Sequence, residues 1–192
     1  MATLKPPIAI YHEHPHWFER LFAELDRRGT PYERIDATSH HFDIEPNGNR
    51  KYSLVFNRMS PSAYTRGHGH GIYYTVSYLE HLERLGTRVI NGARGFRNEI
   101  SKASQLSLLH SLGLPYPRAR VINHPADRFP VIVKPNVGGS GKGIVRFDTP
   151  EALEQASRNG QFSLGLDNTA LVQEFIPARG GHITRVEVVG GK

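Results

Sequence analysis

One stretch limits the architecture of this chain more than any other: FPVIVKPNVGGSGKGIVRF, Phe129 to Phe147. Gly139, Gly141 and Gly143 alternate there with Ser140 and Lys142, between two apolar runs. Such a loop suits a phosphate, and the sequence discriminates among phosphate-binding designs. A P-loop requires G-x-x-x-x-G-K-[ST], whose hydroxyl meets magnesium. Counting back from Gly141-Lys142, its first glycine falls on Asn136, and Gly143 stands where the hydroxyl is needed. A dinucleotide fingerprint requires the loop to open a helix whose N-terminus faces the pyrophosphate. Here the loop runs into GIVRF, which alternates and is β-branched. Both designs fail, and strand, glycine loop, strand remains: a hairpin tip. Backbone amides of such a loop can fold over phosphates, Ser140 adds a hydroxyl donor, and Lys134 at the end of the first strand adds a point charge. The same residues also describe a plain flexible hairpin. Glycine weakens strands, however, so a glycine cluster beside a strand-end lysine calls for a reason.

The first ninety residues alternate between two periods. PIAIY (Pro7–Tyr11), YERID (Tyr32–Asp36), a run around Leu54–Asn57 and TRVING (Thr87–Gly92) read as strands. Trp17, Phe18, Leu21, Phe22 and Leu25 recur at helical spacing before Gly29, as do Ile72, Val76, Leu79, Leu82 and Leu85 before Gly86. Strands alternating with helices of this length predict βαβ units and a mostly parallel sheet. From Asn91 the pattern changes. A helix is expected from about Glu99 to Leu112, stopped by Gly113 and kept from resuming by Pro115 and Pro117. RARVI, PVIVKP, GIVRF and ALVQEFIP read as strands, with a helix in DTPEALEQASRNG capped by Thr149 and started by Pro150. ITRVEVVGGK is strand-like, and Gly-Gly-Lys after a strand calls for a hairpin partner, so the chain is expected to be a piece of a longer one.

Composition narrows the function classes. No apolar run approaches the ~18 residues of a membrane span, and the N-terminus lacks a signal peptide's apolar core, so no membrane partner is expected. The absence of cysteine removes disulfides and thiolate metal sites and fits a reducing cytoplasm. A net charge of +6 describes first a plain basic, solvated surface and next a preference for anionic ligands. Because the basic residues are scattered rather than blocked, a nucleic-acid partner is disfavoured against small anions.

Taken in order, four segments resemble the ATP-grasp superfamily, and within it the branch of ribosomal-protein glutamate ligases, lysine-biosynthesis ligases and glutathione synthetase. GTRVINGARGFRNEISKASQLSLLHSLGLPYPRARV is similar to the family's passage into its nucleotide domain, FPVIVKPNVGGSGKGI to its lysine strand and glycine loop, LVQEFIP to its adenine hinge, and RVEVVGGK to the opening of its second subdomain. The resemblance spans roughly Gly86 to Lys192. It implies an α/β chain: a Rossmann-like pre-ATP-grasp domain over 1–90, an ATP-grasp nucleotide-binding subdomain over 91–177, and an incomplete second subdomain over 178–192.

By position, the resemblance puts Lys102 and Lys134 on the ATP phosphates and Gly139, Ser140 and Gly141 over them. It sets Gln173 and Glu174 at the hinge, where one side chain, with the backbone around Phe175 and Ile176, would hold adenine; Glu174 could instead take the ribose hydroxyls. Arg185 matches an arginine that stabilises a transferred phosphoryl group or a bound carboxylate. Two departures stand out. Ile183 occupies the place of an aspartate that helps to hold nucleotide, leaving Glu174 or His182 to replace it. The family's magnesium ligands lie on later strands, beyond Lys192, and no residue of this chain is assigned to metal.

The implied function is ATP-dependent joining of a small carboxylate to an amine through an acylphosphate, with ATP and magnesium as cofactors; a homo-oligomer is left open. This chain by itself is expected to bind nucleotide weakly and not to turn over. The alternative from another class is a non-catalytic, regulatory nucleotide-binding module. The histidine runs HEHPH (His12–His16) and RGHGHG (Arg66–Gly71) read mainly as loops, with a substrate-facing role at the sheet's carboxyl edge as the next reading, together with Asn57-Arg58, and a metal site after that.

Overall fold

The fold is given by a computed structural model that describes residues 6–45, 51–121 and 126–188. Its first half is built around a four-stranded, wholly parallel sheet in the order β2-β1-β3-β4. The strands are β1 (Ile8–His12), β2 (Tyr32–Asp36), β3 (Leu54–Arg58) and the short β4 (Val89–Ile90). Helices cover both faces. On one, α1 (Glu19–Arg27) and the 3-10 turn Pro15–Phe18 put Phe18 and Phe22 against Ile10, with Phe56 beside them. On the other, α2 (Gly69–Arg84) and α3 (Ala93–Ile100) bury Ile72, Leu79 and Phe96 against Ala9, Tyr11 and Val55. Each such large side chain contributes roughly 1.5–3 kcal/mol when fully buried. The alternation of periods in the sequence therefore produced the βαβ layering it predicted. TRVING is the exception in extent, pairing through only two of its residues.

The second half is an antiparallel sheet in the order β5-β8-β6-β7, from β5 (Ala119–Val121), β6 (Val131–Pro135), β7 (Val145–Phe147) and β8 (Ala170–Glu174). Helix α5 (Pro150–Arg158) packs on one face, where Val131, Val133, Phe147 and Val172 meet Ala156 and Leu153. The Thr149 hydroxyl accepts from the Ala152 amide at 3.3 Å and Pro150 stands at the first helical position, as the sequence predicted. The hairpin of β6 and β7 holds the glycine loop at its tip.

Two expectations are corrected. The single helix from Glu99 to Leu112 is two: α3 ends at Ile100, and α4 runs Lys102–Ser111. Ser101 between them is extended (φ −118°, ψ 114°), and its hydroxyl caps α4 by accepting from the Ser104 amide. The Lys102 amide leaves the helical ladder and donates to the Asn136 carbonyl at 3.2 Å, so a tertiary bond replaces a helical one. Nor do residues 183–188 form a strand. Ile183 and Val186 are 87% and 79% exposed, and alternation without a pairing partner does not make a strand. Residues 189–192 of that stretch lie outside the described ones.

Candidate functional site

The antiparallel register decides which side chains share a face. Ile132 lies opposite both Gln173 and Arg146, and Lys134 opposite Leu171. Directly opposed residues project to the same side. Lys134, Gln173 and Arg146 therefore stand together on the face away from α5, because α5 occupies the side of Val131, Val133 and Val172. The charged and amide groups of this sheet's centre are thus sorted onto one surface.

Lys134 is half-buried, and its ammonium makes no hydrogen bond or ion pair among the described residues. Burial lowers its pKa, since a drier surrounding disfavours the charged form. A cation in that state gains from any anion brought to it. Gln173 is in a similar condition: it is buried, and its Oε1 has no hydrogen-bond partner among the described residues. Two neighbouring polar groups on one face are left to be satisfied by something else.

Lys102 sits across the root of the glycine loop. Its ammonium donates to the carbonyls of Pro135 (2.8 Å), Asn136 (3.1 Å) and Gly138 (3.2 Å). Burial lowers its pKa, and the nearby Lys134 charge lowers it further. The structure thus brings Lys102, Lys134 and the loop together, with Lys102 already engaged by protein. Asn136 fixes the arrangement. Its Oδ1 accepts from the Ala103 amide (2.9 Å) and the Ser101 hydroxyl (3.2 Å), and its Nδ2 donates to Asp167 (2.6 Å). Sequence reasoning missed Asn136, although its place directly after Lys134-Pro135 was a signal.

The loop itself leaves ordinary backbone space at Ser140 (φ 58°) and Gly141 (φ 69°). Two consecutive residues in the left-handed region turn the chain sharply at the tip. Behind the tip, a Cβ at Gly138 would stand 3.1 Å from the Tyr64 hydroxyl, and one at Gly139 would stand 3.4 Å from the Ser62 Cβ. The 3-10 turn Ala63–Arg66 and the residues around it thus support the loop from the first half of the chain.

At the hinge, the Glu174 amide donates to the Arg118 carbonyl and its Oε1 accepts from the Arg118 amide (2.8 Å). The Phe175 amide is also committed, to the Pro130 carbonyl at 3.0 Å. The Phe175 ring lies 4.3 Å from the Arg146 guanidinium, and Ile176 is exposed. The hinge edge open to a ligand therefore begins at Ile176. Arg185, in the irregular exposed segment after it, makes no contact with the lysines or the loop among the described residues.

The histidine runs gave one further group. Glu13, directly after β1, is buried and accepts both Nε and Nη2 of Arg66 (2.7 and 2.6 Å) and bonds His68 Nδ1 at 2.7 Å. Burial alone would raise the Glu13 carboxyl, but the bonds from Arg66 and His68 outweigh it and hold it below its usual range. Arg66 also lies 4.9 Å from the Trp17 ring. His12 is buried, and neither ring nitrogen has a hydrogen-bond partner among the described residues. Among the described residues no group of three or more His, Cys, Asp or Glu is placed to hold a metal ion, and no helix is long and apolar enough to cross a membrane.

Known proteins are similar to this chain in sequence and in fold. Residues 111–192 match the RimK-like ATP-grasp domain. A probable alpha-L-glutamate ligase of Teredinibacter turnerae is 32% identical over an alignment of 129 positions that covers 62% of this chain and 42% of that protein. A second, from Parasynechococcus marenigrum, is 28% identical over 90% of this chain and 39% of its own length. The chain spans about two fifths of the curated relatives it matches. In fold, a RimK domain ATP-grasp protein from Sphaerobacter thermophilus superposes with a TM-score of 0.65 at 21% identity, covering 90% of this chain and 65% of that one. The D-alanine–D-alanine ligase of Bacillus anthracis does so with 0.59 at 15% identity, covering 90% and 58%. The resemblance read from the four sequence segments is borne out, and the fold is that of the ATP-grasp ligases.

Proposed function

We propose that this chain is the ATP-binding part of an ATP-dependent carboxylate–amine ligase. The half-buried Lys134 ammonium, without a partner among the described residues and on the strand that leads into the glycine-rich loop, carries the reading. Lys134 takes a phosphate oxygen as a point charge. The loop residues Gly139, Ser140 and Gly141 close over the β- and γ-phosphates with their amides. Lys102 joins by turning one of its three donors from the Gly138 carbonyl to a phosphate oxygen. Gln173 and the edge from Ile176 receive adenine, with Phe175 beside the ring; Glu174, opposite Val131, stands on the α5 side of the sheet and is less suited to the ribose. Arg185 is assigned to the transferred phosphoryl group or the substrate carboxylate, which its segment would have to move to reach.

In the reaction, a substrate carboxylate oxygen attacks the γ-phosphorus and ADP leaves, giving an acylphosphate. An amine then attacks the acyl carbon, loses a proton and expels phosphate, forming an amide. The protein's part is positioning and charge neutralisation. ATP enters as its magnesium complex, and magnesium supplies charge neutralisation on the phosphates. We place the boundaries of the nucleotide-binding subdomain at 91–177, the preceding unit at 1–90 and the next from 178, and the protein in the cytoplasm.

Calorimetry with MgATP tests this on the chain and on Lys134→Ala. A ten-fold or greater loss in the variant, about 1.4 kcal/mol, is expected. Parent and variant binding alike would remove Lys134 from the phosphates.

A further inference from the structure

The chain enters β8 through a tight turn, residues 165–169, set against the root of the glycine loop. Gly165 (φ 78°) and Asn168 (φ 52°) are both left-handed, and the Asn168 amide donates to the Gly165 carbonyl at 3.3 Å. The Thr169 hydroxyl donates to the Asp167 carbonyl (3.0 Å), and the Thr169 carbonyl accepts from the Asn136 amide (2.9 Å). A left-handed asparagine costs backbone energy, and what the turn delivers is the Asp167 side chain. One oxygen, Oδ2, accepts from Asn136 Nδ2 at 2.6 Å. The other, Oδ1, is buried and has no hydrogen-bond partner among the described residues. A buried carboxylate oxygen without a donor is costly unless an opposite charge answers it.

Lys102 is that charge. Both residues are half-buried, and both bond Asn136: the ammonium at the carbonyl (3.1 Å), the carboxylate at the side chain. The charged groups that face Lys102 are Lys134 on β6 and Asp167 on this turn. Burial lowers the Lys102 pKa most, Lys134 lowers it further, and Asp167 raises it. On the other side, Tyr73 of α2 faces Asp167; burial raises the Tyr73 hydroxyl, and the Asp167 charge raises it further. Two lysines directed at one phosphate site repel each other until the phosphate is there. A fixed carboxylate behind one of them offsets that repulsion and part of the cost of burial.

We propose that Asp167 is a positioning residue of the nucleotide site: it holds Asn136, and with it the start of α4, and it keeps the Lys102 amine a cation before phosphate arrives. The assignment rests on the nucleotide-binding reading and deepens it. Asp167 acts through Lys102 and Asn136 and needs no contact with nucleotide itself. A side chain that only braced Asn136 would leave the charge on Lys102 unchanged, and this separates the two roles.

NMR titration of the Lys102 Nζ resonance, without nucleotide, tests the proposal. In the parent the resonance is expected to move a second time at acid pH, where the Asp167 carboxyl titrates, a measurement that needs no variant. Asp167→Asn keeps an oxygen for Asn136 Nδ2 and removes the charge, and the Lys102 midpoint is expected to fall in it. MgATP calorimetry reads the consequence: between about pH 7 and about pH 9 the variant is expected to lose at least about three-fold more affinity than the parent. A Lys102 resonance blind to Asp167 in the parent, or equal Lys102 midpoints in parent and variant, would overturn the assignment. So would identical pH profiles of MgATP affinity in the two chains while Lys134→Ala still weakens binding. The nucleotide reading fails separately: a lowered Lys102 midpoint beside MgATP binding that ignores Lys134→Ala removes that reading and leaves the Asp167–Lys102 relation standing.

Discussion

The Lys102 ammonium donates to the Pro135 carbonyl at 2.8 Å, so the first residue of α4 clamps the last residue of β6. Two more carbonyls, of Asn136 and Gly138, complete its donors. Lys102→Met keeps a comparable unbranched stem and removes all three. The variant is expected to lose about 1–3 kcal/mol of stability, with faster hydrogen exchange at the amides of 138–143. Thermal unfolding and exchange measured by NMR check this, and unchanged exchange in the loop would mean that Lys102 is not its clamp.

Glycines around Pro135 differ in what they tolerate. Gly165 has φ 78°, and a Cβ there would stand 2.8 Å from the Pro135 Cβ and 3.2 Å from the Val137 carbonyl oxygen. Gly141 has φ 69° with open space around it. Gly165→Ala is therefore expected to cost about 2–4 kcal/mol, from the left-handed backbone plus overlap, and Gly141→Ala about 1–2 kcal/mol from the backbone alone. Chemical denaturation of both variants ranks them. The opposite order would contradict the packing at Pro135.

Glu13 sets an acid limit. Its folded pKa lies below the ordinary 4.5, so the unfolded chain binds the proton first. The stability it contributes is present above about pH 4.5 and is lost as pH falls through the lower folded value. Glu13→Gln is expected to flatten this part of the acid unfolding curve. At neutral pH it leaves Arg66 without its carboxylate, at a cost on the order of 3 kcal/mol. A variant with the parent's acid midpoint would exclude Glu13 from the transition.

Two imidazoles act at higher pH. Burial lowers the pKa of His12, and lowers that of His40 from 6.5 to about 4. Both are neutral in the folded chain and take protons more readily once it unfolds. Stability is therefore expected to decline as pH falls from 6.5 towards 4, and His12→Phe to remove part of that slope. NMR titration of the imidazole resonances should give His40 a midpoint near 4. A His40 midpoint near 6.5 would contradict its enclosure.

Much of the second half was legible because its signals are local. The β6 and β7 hairpin, the Thr149 cap and the Gly113 stop (φ 66°) each follow from neighbouring residues. The break at Ser101 had a local sign too, a serine placed to cap, but helical spacing on both sides concealed it until the Asn136 bonds were seen. The Glu13–Arg66 pair joins residues 53 apart in sequence, and no short-range pattern encodes such a meeting. Residues 183–188 show the converse limit, since alternation gives a strand's preference but not its partner. In the site, the face shared by Lys134 and Gln173 follows from register, which became known only when β6 and β8 were seen paired.

The Asn136 bonds also determine what can move. The Asn136 amide is bonded to the Thr169 carbonyl, its side chain to α4 and Asp167, and Val137 is packed in the core of the first half. The anchoring thus reaches Val137 and, through the Lys102 ammonium, the Gly138 carbonyl at 3.2 Å, and the two bends that flank the tip are Gly138 (φ 151°) and Gly143 (φ 75°). The tip is a short flap on two glycine bearings, set on a base that includes the lysine helix. Movement at those two bends would have to release the Gly138 carbonyl from Lys102, while α4 stays held by the Asn136 side chain. A nucleotide beneath the flap would meet a thin cover over a fixed bed, so making or breaking one lysine–carbonyl bond alters the cover without repacking either sheet.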